Sequence, residues 1–208
     1  MNSRAAQELV LASANAGKQR ELAQLLEPLG IRLRLAAEWG LASAAETGTS
    51  FQENALIKAR AAARGTGLPA LADDSGLEVD ALGGRPGVYS ARFAGPGATD
   101  LRNNARLLEE LSGVPMPART ARYRCVLALV RSAGDAQPLL AEGSWDGCIA
   151  LVACGSGGFG YDPLFVPLGD HRTVAELPAE LKQASSHRAH ASAALLAALR
   201  AAHWPAGP

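Results

Sequence analysis

Short apolar runs bounded by turn residues alternate along this chain with segments of helical period. Residues 8–14 are apolar at their centre and read as a buried strand. They run into Asn15-Ala16-Gly17 and a helix-period segment over 18–27, stopped at Pro28. Residues 31–35, Ile-Arg-Leu-Arg-Leu, alternate strictly and predict a second strand. Ser50-x-x-Glu53 has the spacing of a capping box and opens an Ala-rich helix that ends near 65–67. Residues 71–74 read as a strand end, Ser75-Gly76 as a turn, and 77–79 as another short strand. A loop covers 83–87 and a helix about 100–111. Strands are predicted over 122–130, 139–143 and 148–152, with a turn at 132–135. The Gly-rich stretch 155–160 leads into an apolar, strand-like run at 163–167, and 189–202 is an Ala/Leu amphipathic helix. Strands and helices mix without strict alternation and no linker or repeat divides the chain. The pattern predicts an α/β fold with a mixed sheet in a single domain over residues 1–208.

Composition narrows the function classes. With 208 residues, 48% hydrophobic and 19% charged, the chain can bury a substantial core. Twenty basic residues balance twenty acidic ones, which argues against a broad nucleic-acid footprint but leaves room for a local anion site. No apolar run reaches membrane-spanning length and no signal-peptide anatomy is present. Cys125, Cys148 and Cys154 form no C-x-x-C, as expected of thiols in a reducing cytoplasm.

Candidate chemistry begins with the lysines. Of the 20 basic side chains only Lys18, Lys58 and Lys182 are Lys. Arg and Lys are not interchangeable at a phosphate or catalytic site, and each surviving Lys lies in a segment with other reactive residues. Ser13 to Lys18 (Ser13, Ala14, Asn15, Ala16, Gly17, Lys18) sits where a strand delivers the chain to a helix start, a natural anion site. It is not a Walker loop, because Ala12 and Gln19 stand where that pattern needs Gly and Ser or Thr. Asp73-Asp74-Ser75-Gly76 concentrates carboxylates at a predicted strand–turn boundary, and alternation along a strand aims one of the two aspartates at a site. Magnesium bound with a substrate phosphate needs one or two such carboxylates, with Glu46 or Glu53 as the second. Residues 155–160 spell G-x-G-x-x-G, but a dinucleotide fingerprint must open a helix. Here Tyr161-Asp162-Pro163 follows, which suits a loop that brings backbone and an aromatic close to a ligand, or a tight hairpin. Lys182, His187 and Arg188 gather cations near another helix start, where Ser186 or His187 can equally act as a cap.

These stretches together resemble the Ham1-type inosine triphosphate pyrophosphatases. The resemblance is carried by residues 11–18, Glu46-Thr47-Gly48 with Phe51-Gln52-Glu53-Asn54-Ala55 and Lys58, residues 72–77, residues 83–92, Gly157-Gly158-Phe159-Gly160-Tyr161-Asp162-Pro163, and Ser186-His187-Arg188. They fall in order across residues 9–200. The chain departs from the family's pattern at Ala14, where Gly is usual.

The resemblance implies an extended, twisted mixed sheet with flanking helices, forming two lobes around a substrate cleft in a homodimer. It implies hydrolysis of non-canonical purine nucleoside triphosphates (ITP, dITP, XTP) to the monophosphate and pyrophosphate, with Mg²⁺ or Mn²⁺. Asp74 is the implied general base and a metal ligand, with Glu46 as the second acidic contact. Ser13 to Lys18 would hold phosphate. Lys58, Ser75, Phe159, Gly160, Tyr161, Asp162, Lys182, His187 and Arg188 would contact substrate. Donors aimed at O6 favour 6-keto purines over adenine, which presents an amino donor there. Rival readings are a Maf-type nucleotide pyrophosphatase, against which the 159–162 and 186–188 segments weigh, and a nucleotide sensor, which would have no need of a general base. No nucleic-acid or membrane partner is expected.

Overall fold

The computed structural model describes residues 7–13, 19, 22–24, 26–202 and 204. Six strands form one sheet in the order β2-β1-β3-β4-β5-β6. They are β1 (Gln7–Leu11), β2 (Ile31–Leu35), β3 (Ala70–Val79), β4 (Thr120–Val130), β5 (Leu139–Ile149) and β6 (Phe165–Pro167). β1 pairs in parallel with both β2 and β3, while β5 and β6 are antiparallel. The sheet is therefore mixed. Parallel neighbours need long crossovers, and the segment between β2 and β3 contains helix α1 (Phe51–Thr66). A central parallel strand is covered on both faces, so β1 is apolar without alternation at Leu9, Val10 and Leu11, all buried.

Helix α1 starts where its capping signal lies: Ser50 Oγ accepts the Glu53 N–H at 3.1 Å. The Glu53 carboxylate accepts from the Thr49 N–H and Oγ1 at 2.6 and 2.9 Å, so it serves the helix start. Helix α2 (Asp100–Glu110) is capped by Thr99. The C-terminal helical region is two helices, α3 (Ala179–Ser185) and α4 (His187–Ala201), broken at Ser186. Ser186 has extended backbone and its Oγ accepts from the Ala189 N–H, which makes it the cap. Lys182 consequently lies inside α3, not at a helix start.

Two other expectations are corrected. Asp73-Asp74-Ser75-Gly76 does not turn, because β3 runs unbroken through it with both faces largely covered. The strands predicted at 139–143 and 148–152 are one strand, β5. Gly147 permits this: a Cβ there would strike the Val166 carbonyl of β6. At Pro28 the helical segment gives way, as expected, to a 3₁₀ turn over Glu27–Leu29 that ends at Gly30 in the left-handed region (φ 72°).

The chain packs as two compact units, residues 1–74, 126–143 and 190–208, and residues 75–125 and 144–189. In the first, buried side chains of β1, α1, β3 and the end of β4 make the interior. In the second, Leu77, Leu107, Tyr123, Ile149, Tyr161, Leu164 and Phe165 form one apolar cluster.

Candidate active site

In the first unit the chemistry gathers around Lys58. The buried side of α1 includes Phe51, Ala55, Ala59 and Ala62. Positions 51, 55, 58 and 62 share one helix face, so Lys58 is carried inward with the apolar row. Its ammonium reaches Asp74 Oδ1 on β3 at 2.6 Å and Glu46 Oε1 at 2.9 Å. Glu46 is brought there by a close approach of its own segment to the start of α1. The Gly48 N–H donates to the buried Asn54 Oδ1 at 2.8 Å, and a Cβ at Gly48 would lie 2.6 Å from that of Glu53. Burial pulls the Lys58 ammonium down, but the charge of Asp74, its hydrogen bond and those of Glu46 outweigh this and hold it above its ordinary value. Lys58 is thus a firmly protonated cation between two carboxylates.

Asp73 and Asp74 are both buried, and their neighbouring positions on a strand point to opposite faces. Ser13 follows the end of β1, and its carbonyl accepts from Gln19 Nε2 at 3.0 Å. A cavity of about 110 Å³ opens beside Ser13 and Lys58, walled by Ala12, Leu41, Ala61 and Ala62. Ala14, Asn15, Ala16, Gly17 and Lys18 lie outside the described residues.

Asp74 and Glu46 already converge on one cation, and hard carboxylate oxygens are the donors that a divalent metal such as those handled with phosphates takes. Among the described residues no group of three or more His, Cys, Asp or Glu is placed to hold a metal. Two carboxylates suit an ion that keeps the rest of its shell for water and phosphate.

The second unit holds the remaining candidates. The loop at 155–160 leads into turns and then β6, not into a helix. Gly157 N–H bonds the Ala175 carbonyl at 3.0 Å. Gly158 is left-handed (φ 75°), and the Asp162 carboxylate occupies the space a Cβ would need. Asp162 is buried; its Oδ2 accepts from the Phe159 N–H at 2.9 Å and pairs with the Lys182 ammonium. Lys182 also sits over the Phe159 ring, 4.4 Å from its centroid, while that ring stays 42% exposed. Tyr161 is buried, its hydroxyl donating to the Ser90 carbonyl at 2.8 Å, so it anchors the loop. Gly160 is gripped from both sides by α2: its N–H donates to Asp100 and its carbonyl accepts from Asn104, at 2.7 and 2.8 Å. Arg188 is buried on α4 and its guanidinium meets Ser75 Oγ at 3.3 Å. His187 is buried and stacked on Tyr123.

The structure therefore brings together Glu46, Lys58 and Asp74 as one group. It brings together Phe159, Asp162 and Lys182 as a second, and Ser75 with Arg188 as a third contact. Asp100, Asn104 and Tyr123 escaped the sequence reading. The i, i+4 spacing of Asp100 and Asn104 on one helix face was a usable signal. Tyr123, between Arg122 and Arg124, reads in sequence only as one apolar position of an alternating strand.

The fold is an α/β chain with a mixed sheet, and its first unit carries a helix lysine clamped by two carboxylates. The chain belongs to the Ham1 family, whose profile matches residues 9–198. It is 57% identical over 194 residues to the dITP/XTP pyrophosphatase of Methylococcus capsulatus, covering 93% of this chain and 96% of that protein. It is 54% identical to the protein of the same name from Shigella flexneri, covering 93% and 98%. The solved structure of a HAM1 protein from Coxiella burnetii superposes with a TM-score of 0.89 at 45% identity, covering 94% of this chain and 99% of that one.

Proposed function

We propose that this chain hydrolyses dITP, XTP and ITP to the nucleoside monophosphate and pyrophosphate, which removes deaminated purines from the nucleotide pool. Family membership and the names of its relatives support the reading. The observation that carries it is the convergence of Asp74 and Glu46 on a single cation, at 2.6 and 2.9 Å.

In the proposed reaction a water attacks the α-phosphorus as Asp74 takes its proton. The bond from the α-phosphorus to the bridging oxygen breaks, and its electron pair leaves with pyrophosphate. Asp74 and Glu46 would hold Mg²⁺, which Mn²⁺ can replace; the ion supplies neutralising charge to the triphosphate. Lys58 contributes a fixed positive charge where negative charge develops. Ser13, with Ala14 to Lys18, takes phosphate oxygens. Phe159 offers a stacking surface for the purine; Ser75, Gly160, Lys182, His187 and Arg188 line the base side, while Tyr161 and Asp162 hold that loop in place beneath it. Donors among Lys182, His187 and Arg188 match a 6-keto oxygen and oppose a 6-amino group, which leaves adenine with unpaired donors.

The same reading includes a homodimer in the cytoplasm with no nucleic-acid or membrane partner; light scattering at twice 21.5 kDa checks the dimer. Among the described residues no helix is long and apolar enough to cross a membrane. The deciding experiment is product analysis with Mg²⁺ over ITP, XTP, dITP, ATP, GTP, dTTP and UTP. Pyrophosphate plus IMP or XMP, with ATP and GTP nearly untouched, is expected. A preference for dTTP or UTP would replace this reading with a pyrimidine-directed pyrophosphatase.

A further inference from the structure

Tyr123 touches His187, assigned to the base side, and Asp162, which holds the loop beneath it, and the proposed reaction uses neither contact. It stands on β4 and is buried. Its ring stacks on the His187 imidazole with centroids 4.7 Å apart and planes 13° apart. Phe165 packs against the same ring at 4.7 Å and 57°. Its hydroxyl donates to Asp162 Oδ1 at 3.2 Å. Burial, and then the charge of Asp162, holds the phenol well above its ordinary range, so it stays a donor. The other oxygen of Asp162 takes the Phe159 N–H and the Lys182 ammonium. Contacts therefore run from His187 through Tyr123 and Asp162 to Phe159 and Lys182, joining the start of α4, β4, the Gly-rich loop and α3. A carboxylate held through one oxygen can pivot, whereas a donor on the second oxygen fixes its plane.

We propose that Tyr123 is a positioning residue for the purine base: its ring sets the plane of His187, and its hydroxyl locks the carboxylate that holds Phe159 and Lys182. The inference rests on the base-side reading of Phe159, Lys182 and His187. It asks of Tyr123 no contact with substrate.

The test uses the full chain with Mg²⁺ and ITP. Tyr123→Phe keeps the ring and its stack and deletes one hydrogen bond. It should raise KM about 5-fold, the scale of one such bond, with kcat moving less than about 2-fold. Hydrogen exchange at the Phe159 amide should quicken by a similar factor. Tyr123→Leu, which also removes the stack, should lower kcat/KM further than Tyr123→Phe. In an Asp162→Ala background Tyr123→Phe should add nothing to KM, because the hydroxyl acts through that carboxylate. Additive effects of Tyr123→Phe and Asp162→Ala overturn the proposal, as does a Tyr123→Phe protein with wild-type KM and wild-type Phe159 exchange. The exchange measurement needs no turnover. A wild type that leaves ITP untouched would thus overturn the functional reading while the Tyr123–Asp162 coupling is decided separately.

Discussion

Lys58 shows how much a single side chain decides here. Taking an ammonium and two carboxylates out of water is costly unless they are paired. The side chains of Lys58 and Asp74 are 12% and 8% exposed and that of Glu46 is 30% exposed. Lys58→Met would leave two carboxylates facing each other. The expected loss is about 2 kcal/mol, less than for a fully buried pair because Glu46 remains partly hydrated. Millimolar Mg²⁺ should raise the melting temperature of Lys58→Met more than that of wild type, since only the variant lacks a cation there. A melting temperature that Mg²⁺ leaves unchanged in both proteins would show that the ion does not bind between these carboxylates. Asp74→Asn should reduce turnover by at least about 10²-fold while the far-UV spectrum stays native, as removal of a general base does; near-wild-type turnover would remove Asp74 from that role. Both Lys58 and Asp74 stood out in the sequence, one through the scarcity of Lys and the other through paired aspartates. Their union did not, because positions 46, 58 and 74 meet only once α1, β3 and the segment ahead of α1 have come together in the fold.

Among the elements, the loop ahead of β6 shows both what periodicity reveals and what it hides. Its glycine pattern was legible as a loop that brings backbone near a ligand. The division of labour within it was not. Phe159 presents an exposed ring, whereas Tyr161 and Asp162 are turned inward to hold the loop. Two of its three left-handed glycines, Gly158 and Gly160, should consequently differ. Gly160→Ala has open space and incurs only the backbone cost of about 1–2 kcal/mol. Gly158→Ala bears the same backbone cost and also collides with the Asp162 carboxylate, which must then release Phe159 or Lys182. Thermal melts and KM for ITP of the two variants should therefore separate, with Gly158→Ala the worse on both. Equal behaviour would mean that Asp162 relaxes without consequence. The misread strands have the same root. Ser75-Gly76 and the 143–147 glycines look like breaks when propensity alone is weighed, but burial and cross-strand pairing override propensity in β3 and β5.

At the scale of the whole molecule, equal numbers of opposite charges leave pH stability to the groups that folding perturbs. Several carboxylates are held below their ordinary values. Burial opposes this at Glu110, but Arg85 and Arg106 prevail; at Asp135 burial is outweighed by the N–H groups of Arg131 and Gln137 and by the Arg131 charge. Arg172 holds Asp170 well down through its side chain and its backbone N–H. A group with a depressed folded pKa binds fewer protons folded than unfolded, so its stabilisation is complete above the unfolded value of about 4 and is lost as pH falls through the folded one. The alkaline side is governed by groups that are raised. Lys58 keeps its proton because Asp74 and Glu46 outweigh burial, while burial keeps Tyr123 and Cys148 neutral. Each binds more protons folded than unfolded above its unfolded pKa, so stability falls as pH climbs beyond roughly 8.5 for Cys and 10 for Tyr and Lys. Urea titrations should accordingly give a plateau between about pH 5 and 8 with a decline on both flanks. High salt should flatten the acid flank, because the arginine pairs of Glu110, Asp135 and Asp170 are near the surface and screened. Stability that rises on going from pH 5 to 3 would contradict the assigned directions at these carboxylates, and an acid flank indifferent to salt would contradict the arginine pairing as their cause.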